Sequence, residues 1–267
     1  MSARLAGLYI YPLKGGRGVP VDRWETDGFG LRFDRRWMVV DADRQAITQR
    51  DRPRLALLEA TPEPDALVLR ADGASPLVLP LSTNGAQRLE VSVWNDVAVA
   101  IDMGDDAARW ISDALELCCR LVHMPEDVVR PVSLRHGLPG DRIGFADAYP
   151  FLLISQGALD ELNRRLDQPV PMNRFRPNLV IDGVEPHAED FWTRITIGGM
   201  PFDVVKPCAR CAVPTIDQAT AERGKEPIRT LSTYRRVDGK VMFGQNVIHR
   251  GTGELRVGDT VAVLASR

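Results

Sequence analysis

Apolar residues in this chain recur mostly at alternate positions, in short runs, and seldom at helical spacing. That pattern predicts a strand-rich fold with few helices. Trp37-Met38-Val39-Val40 is a compact apolar run that stops at the turn residues Asp41-Ala42-Asp43. Leu67-Val68-Leu69 and Leu77-Val78-Leu79 flank Ala71-Asp72-Gly73, a hairpin signal. Leu89, Val91 and Val93 alternate with polar residues, and Asn95-Asp96 is expected to turn the chain into Val97, Val99 and Ile101. These two runs predict half-buried antiparallel sheet. Later come Leu179-Val180-Ile181, then Ile195 and Ile197, a Gly198-Gly199 turn, and Phe202 to Val204. A turn at Val257-Gly258-Asp259 leads into a closing strand.

Helical spacing holds in two places. Asp105-Asp106 supply a negative N-terminus, and Ala107, Trp110, Ile111, Ala114 and Leu115 then share one face. Ser155 is a good N-cap for a helix carrying Leu159, Leu162 and Leu166 on one side. Glu161, Arg164 and Arg165 on its other face read as a solvated surface. The fold class expected is α+β, strand-rich and barrel-like.

The chain has 267 residues, enough for one large or two ordinary domains. Its 34 basic and 36 acidic side chains nearly balance, for a formal charge of -2. Non-specific nucleic-acid binding needs a basic excess, so no nucleic-acid partner is expected, although a local basic pocket fits. No apolar run nears the ~20 residues of a membrane span. Met1 to Tyr11 lacks the pattern of a secretory leader. Four cysteines in a chain this long make no disulfide scaffold, and the expectation is a soluble cytoplasmic protein with reduced thiols.

The chemistry concentrates at Lys206-Pro207-Cys208-Ala209-Arg210-Cys211. Neighbouring cations favour the thiolate, the form that binds soft metals. The β-branched and proline neighbours place the pair at a strand end or a tight loop. A structural zinc site needs further spaced ligands, which neither Cys118-Cys119 nor the scattered His123, His136, His187 and His249 supply. A thioredoxin-like pair should open a helix, and Ala212 to Ile216 does not read as one. One thiolate ligating a cofactor's metal, or a pair of buried structural cysteines, remains.

Four further clusters stand at strand ends. Tyr11-Pro12-Leu13-Lys14-Gly15-Gly16 combines a close-approach turn with a cation, and reads equally as a plain turn. Asp34-Arg35-Arg36-Trp37 suits a planar anion or a surface ion pair. Asn173-Arg174-Phe175-Arg176-Pro177-Asn178 runs into a buried strand, and its arginines suit a phosphate better than a mere turn. Phe243-Gly244-Gln245-Asn246 offers amides able to read a heterocycle edge.

Taken in order, these segments resemble the MOSC-domain family, in the branch with an additional N-terminal β-barrel region. Pro150-Phe151-Leu152-Leu153-Ile154-Ser155, Lys225-Glu226-Pro227 and Val257-Gly258-Asp259 add to the match. That branch includes the mitochondrial amidoxime-reducing components and the bacterial YcbX-type proteins. The resemblance implies an N-terminal β-rich region over 1–118 and a MOSC β-barrel domain over 119–267. It implies a molybdenum cofactor, a pterin dithiolene with a terminal phosphate, whose metal is ligated by Cys211. Lys14, Arg35, Arg176, Asn178 and Arg210 match family positions that contact the cofactor. Gly15, Ala209, Tyr149 and Asn246 follow as further contacts.

The implied activity is reduction of small N-oxygenated compounds such as hydroxylamines and amidoximes. Cys211 would tune the metal, and Asp217 would serve as proton partner or cap a turn. A non-catalytic cofactor carrier or sulfur-transfer module is the alternative. Gly15-Gly16 departs from the small polar or cysteine residues the family often has there. The family's ferredoxin-like domain and mitochondrial anchor are not expected here. No glycine-rich dinucleotide turn appears, so neither a nicotinamide nor a flavin is expected to bind directly. Only Cys118 and Cys119 remain for an iron–sulfur cluster, which is not expected either, nor is pyridoxal phosphate. Electrons would come from a separate reductase or ferredoxin-like protein.

Overall fold

The computed structural model describes residues 2–81 and 87–267, so Met1, at the head of the segment read for a leader, lies outside it. Its largest sheet has nine strands. Across that sheet the order is Val261–Ser266, Trp192–Ile197, Met200–Ala209, Lys240–His249, Phe151–Ser155, Leu179–Asp182, Arg4–Ile10 and Val19–Pro20, with Arg236–Val237 paired to Lys240–His249. All these pairings are antiparallel except Phe151–Ser155 with Leu179–Asp182, between which the helix Gln156–Asn163 crosses over. First and last strands meet through an Arg4–Thr260 bridge and the bonds Leu5 N–H to Asp259 O and Val261 N–H to Ala3 O, each 2.9 Å. The sheet therefore curls into a barrel.

Alternation fills the barrel. Leu5, Leu8, Leu153, Leu179, Ile181, Ile195, Ile197, Phe202 and Val247 all point into one buried cluster. Each such side chain stabilises the barrel by roughly 1.5–3 kcal/mol on burial. A four-stranded sheet runs Trp37–Val40, Arg120–His123, Asp96–Asp102, Arg88–Val93, and a three-stranded one joins Glu59–Pro62, Ala66–Arg70 and Leu77–Pro80. The helix Asp105–Leu115 packs Ala107, Ile111 and Leu115 into the core that these two sheets share. Gly253–Arg256, Arg23–Asp27 and Gly30–Leu31 form another three-stranded sheet. Two segments cross a division at residue 118: Arg4–Ile10 lies in the barrel, and Arg120–His123 pairs with Trp37–Val40.

The expected hairpin around Asp72-Gly73 forms, with Leu69 opposite Leu77 and Gly73 at φ 76°. Both expected helices form, and the Ser155 side chain accepts from Ala158 N–H at 3.2 Å. The next hairpin differs by one residue from expectation. Its turn is Trp94-Asn95, so Val93 faces Asp96, Val91 faces Ala98 and Leu89 faces Ala100. Opposite residues share a face, so Ala98 and Ala100 go to the core while Val97 is 65% exposed. The helix Ile228–Tyr234, which anchors itself by the buried Leu231, has no counterpart in the periodicity reading.

Candidate functional site

Two β-bulges shape the end of Met200–Ala209. Its register against Lys240–His249 slips between Val204 and Lys206 and again between Pro207 and Ala209. Bulges re-aim side chains at a strand's end. Here they bring Asn246 Nδ2 within 3.3 Å of both the Lys206 and Pro207 carbonyls. Cys208 is the next-to-last residue of the strand and Cys211 lies just beyond it, both partly buried. Gly244, at φ 80° behind this corner, leaves no room for a side chain: a Cβ would stand 2.6 Å from Ile154 Cγ1 and 2.8 Å from Leu153 O.

The thiols open onto a cavity of about 300 Å³. The barrel supplies one wall, from Lys206 to Cys211 and from Phe175, Arg176 and Asn178. The first half of the chain supplies the other, from Lys14, Gly15, Arg35, Thr48, Gln49, Arg50 and Trp94. Ten of the eleven residues singled out from sequence line it: Lys14, Gly15, Arg35, Tyr149, Arg176, Asn178, Ala209, Arg210, Cys211 and Asn246.

A network fixes the cations. Asp34, buried beneath the cavity, accepts from Arg35 Nη1 at 2.5 Å, Asn178 Nδ2 at 3.1 Å and Tyr11 N–H at 2.8 Å. Asn178 Oδ1 accepts from Arg35 Nη1 at 2.8 Å and Leu152 N–H at 3.2 Å, while Nδ2 also reaches Tyr9 O. That amide is fully used inside the protein, so Asn178 lines the cavity as a positioning group rather than a free donor. Arg35 and Arg176 each lie 4.4 Å from the Tyr11 ring. Arg176 Nη1 donates to Gly16 O at 2.6 Å. Burial pulls its guanidinium down to about 10, which still leaves it charged at neutral pH. Lys14 Nζ donates to Phe145 O at 2.7 Å and Asp147 Oδ1 at 2.5 Å. Desolvation lowers its ammonium, partly offset by Asp147. Arg210 Nη2 donates to Phe175 O at 2.8 Å, and Nη1 approaches Cys208 Sγ at 3.3 Å.

Two candidate residues lie outside the cavity wall. Asp217 does not line the cavity. Its carboxylate caps a turn, accepting Ala219 and Thr220 N–H, and pairs with Arg174 Nη1 at 3.1 Å. Those backbone bonds lead the causes that hold its carboxyl below the usual range. The carboxylate that lines the cavity is Asp147. Gln245 is buried and donates to Asp190 Oδ1 at 2.7 Å, so it too has no part in the cavity wall. Arg174, neighbour in sequence to Arg176, instead pins the loop through Pro214 O and Glu226 O.

Sequence reading missed Thr48, Gln49, Arg50, Trp94, Asp147 and Gln218. Gln49 and Gln218 exchange amide bonds at 3.0 Å across the two halves, and Gln218 Oε1 accepts from Arg176 Nη1 at 3.3 Å. Nothing in their spacing marks them; only the fold brings Arg50 and Trp94 to one wall.

Six cations, Lys14, Arg35, Arg50, Arg176, Lys206 and Arg210, thus line a cavity with one carboxylate. Two of them, Arg50 and Arg210, bury an Nε that has no acceptor among the described residues. Such groups call for an acceptor-rich anion. Among the described residues no three of His, Cys, Asp and Glu gather as a metal nest. A metal that brings its own sulfur ligands and a phosphate tail needs only one protein thiolate and the cations, and these residues fit that group.

Two family models match the chain. A MOSC N-terminal beta barrel domain matches residues 2–117, and a MOSC domain matches 140–262. Mitochondrial amidoxime-reducing component 1 of Mus musculus is 37% identical over 97% of this chain and 82% of its own length. Its Homo sapiens counterpart is 36% identical with the same shares. The molybdenum cofactor sulfurase of Danio rerio is 30% identical over 93% of this chain but 32% of its own length. This chain belongs to the MOSC-domain family, within the branch of the amidoxime-reducing components. Among the described residues no helix is long and apolar enough to cross a membrane.

Proposed function

We propose that this chain holds a molybdenum cofactor in the cationic cavity and reduces N-oxygenated compounds, with electrons from a separate donor. The observation that carries the reading is the cavity itself: six cations, two partly buried thiols and two guanidinium nitrogens without an acceptor among the described residues, in one place. For a hydroxylamine, two electrons and two protons convert R–NHOH to R–NH₂ and water. When bound, the cofactor supplies a redox metal able to take oxygen from the N–O group. The chain's own residues bind and orient. Lys14, Arg35, Arg176 and Arg210 supply charge-assisted donors for the phosphate and pterin. Cys211 supplies a soft thiolate for the metal. Asp34, Asn178 and Tyr11 hold the arginines in place, which removes ordering cost at binding. Lys14 Nζ and Asp147, 2.5 Å apart, hold a proton in the cavity wall.

Cys211→Ala is expected to abolish reduction of an amidoxime with a viologen donor, while Cys208→Ser keeps a measurable fraction. A hydroxyl or methyl replaces a thiolate poorly at a soft metal. Full activity of molybdenum-loaded Cys211→Ala would contradict the assignment, and loss confined to Cys208 variants would transfer it to the other thiol. NADH or NADPH alone is expected to give no turnover. The carrier or sulfur-transfer reading draws on Cys208, whose Sγ stands 3.3 Å from Arg210 Nη1 beside the proposed ligand. Cofactor-loaded protein with no turnover on any donor would favour it.

A further inference from the structure

Arg50 has no part in the network that fixes the other cations. Its backbone is pinned on both sides: N–H to Thr48 Oγ1 at 3.2 Å, and carbonyl from Arg223 Nη2 at 2.5 Å. Its guanidinium lies 4.1 Å from the centre of the Trp94 indole. Among the described residues nothing accepts a hydrogen bond from that guanidinium, and its Nε is shut off from water. Of its five donors the Nε–H is buried without an acceptor among the described residues, which is costly, and the Nη groups are left to donate to a ligand.

Trp94 is odd in its own way. It occupies a two-residue hairpin turn at φ 59°, a conformation suited to glycine or asparagine and strained for a bulky side chain. The residue is 44% exposed, so its burial gives the fold little. Yet the indole is held still: Nε1–H donates to Asp147 Oδ1 at 3.0 Å, and that oxygen also takes Lys14 Nζ. Backbone strain at an exposed, fixed aromatic points to function. The pair also stands at the solvent side of the cavity, where Trp94 and the 61%-exposed Asp147 side chain lie. Arg35 and Arg176, held over the Tyr11 ring, already offer cations to an anion elsewhere in the cavity. A substrate enters from the solvent side.

We propose that Arg50, backed by Trp94, is the specificity platform of the cavity. It stacks a planar aromatic or heteroaromatic N-oxygenated substrate on the side away from the Trp94 ring and donates through its Nη groups to an oxygen of that substrate. The planar guanidinium suits both tasks, and an ammonium suits neither. The proposal deepens the N-reductase reading and names the substrate class for it.

The test uses full-length protein from a cofactor-competent host, as wild type, Arg50→Ala, Arg50→Lys, Trp94→Ala and Trp94→Phe. Benzamidoxime is the planar probe and acetamidoxime the aliphatic one, with binding read by calorimetry, turnover by a viologen donor, and pterin by extraction. Trp94→Ala is expected to weaken benzamidoxime binding roughly tenfold and acetamidoxime less than about twofold, and Arg50→Ala to weaken both through the lost donor but benzamidoxime roughly tenfold more, with pterin content unchanged. Arg50→Lys recovers only part, and Trp94→Phe, which keeps a ring under the guanidinium, recovers most. Equal weakening of both probes would overturn the platform. So would a fall of pterin in Arg50→Ala, which would place Arg50 on the cofactor. Arg50-dependent, planar-selective binding by a wild type that turns over neither probe would keep the platform and sink the reductase reading. Wild type that binds both probes alike overturns the platform whatever its turnover.

Discussion

Arg176 shows how one residue joins strain, burial and charge. It sits at φ 57°, a costly conformation for an arginine, and its guanidinium rests on Tyr11 while donating to Gly16 O. Tyr11 is itself tied down through its hydroxyl, 3.0 Å from Pro177 O, and burial pushes its phenol up, so it stays neutral. A strained cation held in place without a full carboxylate partner is built to meet an anion. Arg176→Ala is therefore expected to lower cofactor occupancy more than stability. Losing one charge-assisted donor costs roughly 1.5–3 kcal/mol, or about one to two decades in affinity. Arg176→Lys should recover only part, since a point charge cannot form the fork. Pterin extracted per mole of purified protein reads this directly, and equal content in wild type and Arg176→Ala would remove Arg176 from the site.

The short 3₁₀ segment Ala188–Phe191 places Glu189 beneath the helix Gln156–Asn163. Its Oε1 accepts from Ser155 N–H at 2.9 Å at the positive end of that helix, while Oε2 is buried with no partner among the described residues. Burial raises the carboxyl's pKa against the opposing Ser155 bonds. The native state thus holds a proton that the unfolded chain releases, so Glu189 contributes stability below the ordinary carboxylate range and loses it as pH rises through the native pKa. Glu189→Gln keeps the acceptor and removes the titration. Its stability relative to wild type should improve from about pH 4 to about pH 8. Denaturant midpoints at the two pH values check this, and parallel curves would contradict it.

Elements also show what the sequence could carry. Period-two runs made the barrel strands legible because one face of each meets a single core. The hairpin at residues 88–102 misled because Trp94 takes a turn position that its chemistry disfavours. A one-residue slip then moved Val97 and Val99 off the core face. Ile228–Tyr234 is too short for periodicity to show.

At the scale of the molecule, a chain of charge -2 gathers six cations around one cavity between its two halves. The Gln49–Gln218 pair and the Arg176–Gly16 bond join those halves at the cavity. Most of the thiol and cation lining of the cavity was legible because its residues sit in contiguous motifs at strand ends. Arg50, Trp94 and Asp147 were not, because three separate loops bring them together. Asp217 caps its own loop, the alternative that its sequence position had left open beside a proton role. The central claim is that this cavity holds a molybdenum cofactor through Cys211. Molybdenum and extracted pterin, measured on protein purified from a cofactor-competent host, test it most directly. The account predicts equimolar molybdenum and pterin in wild type, with molybdenum lost in Cys211→Ala. Wild type free of both, from a host whose other molybdoenzymes are loaded, would contradict it.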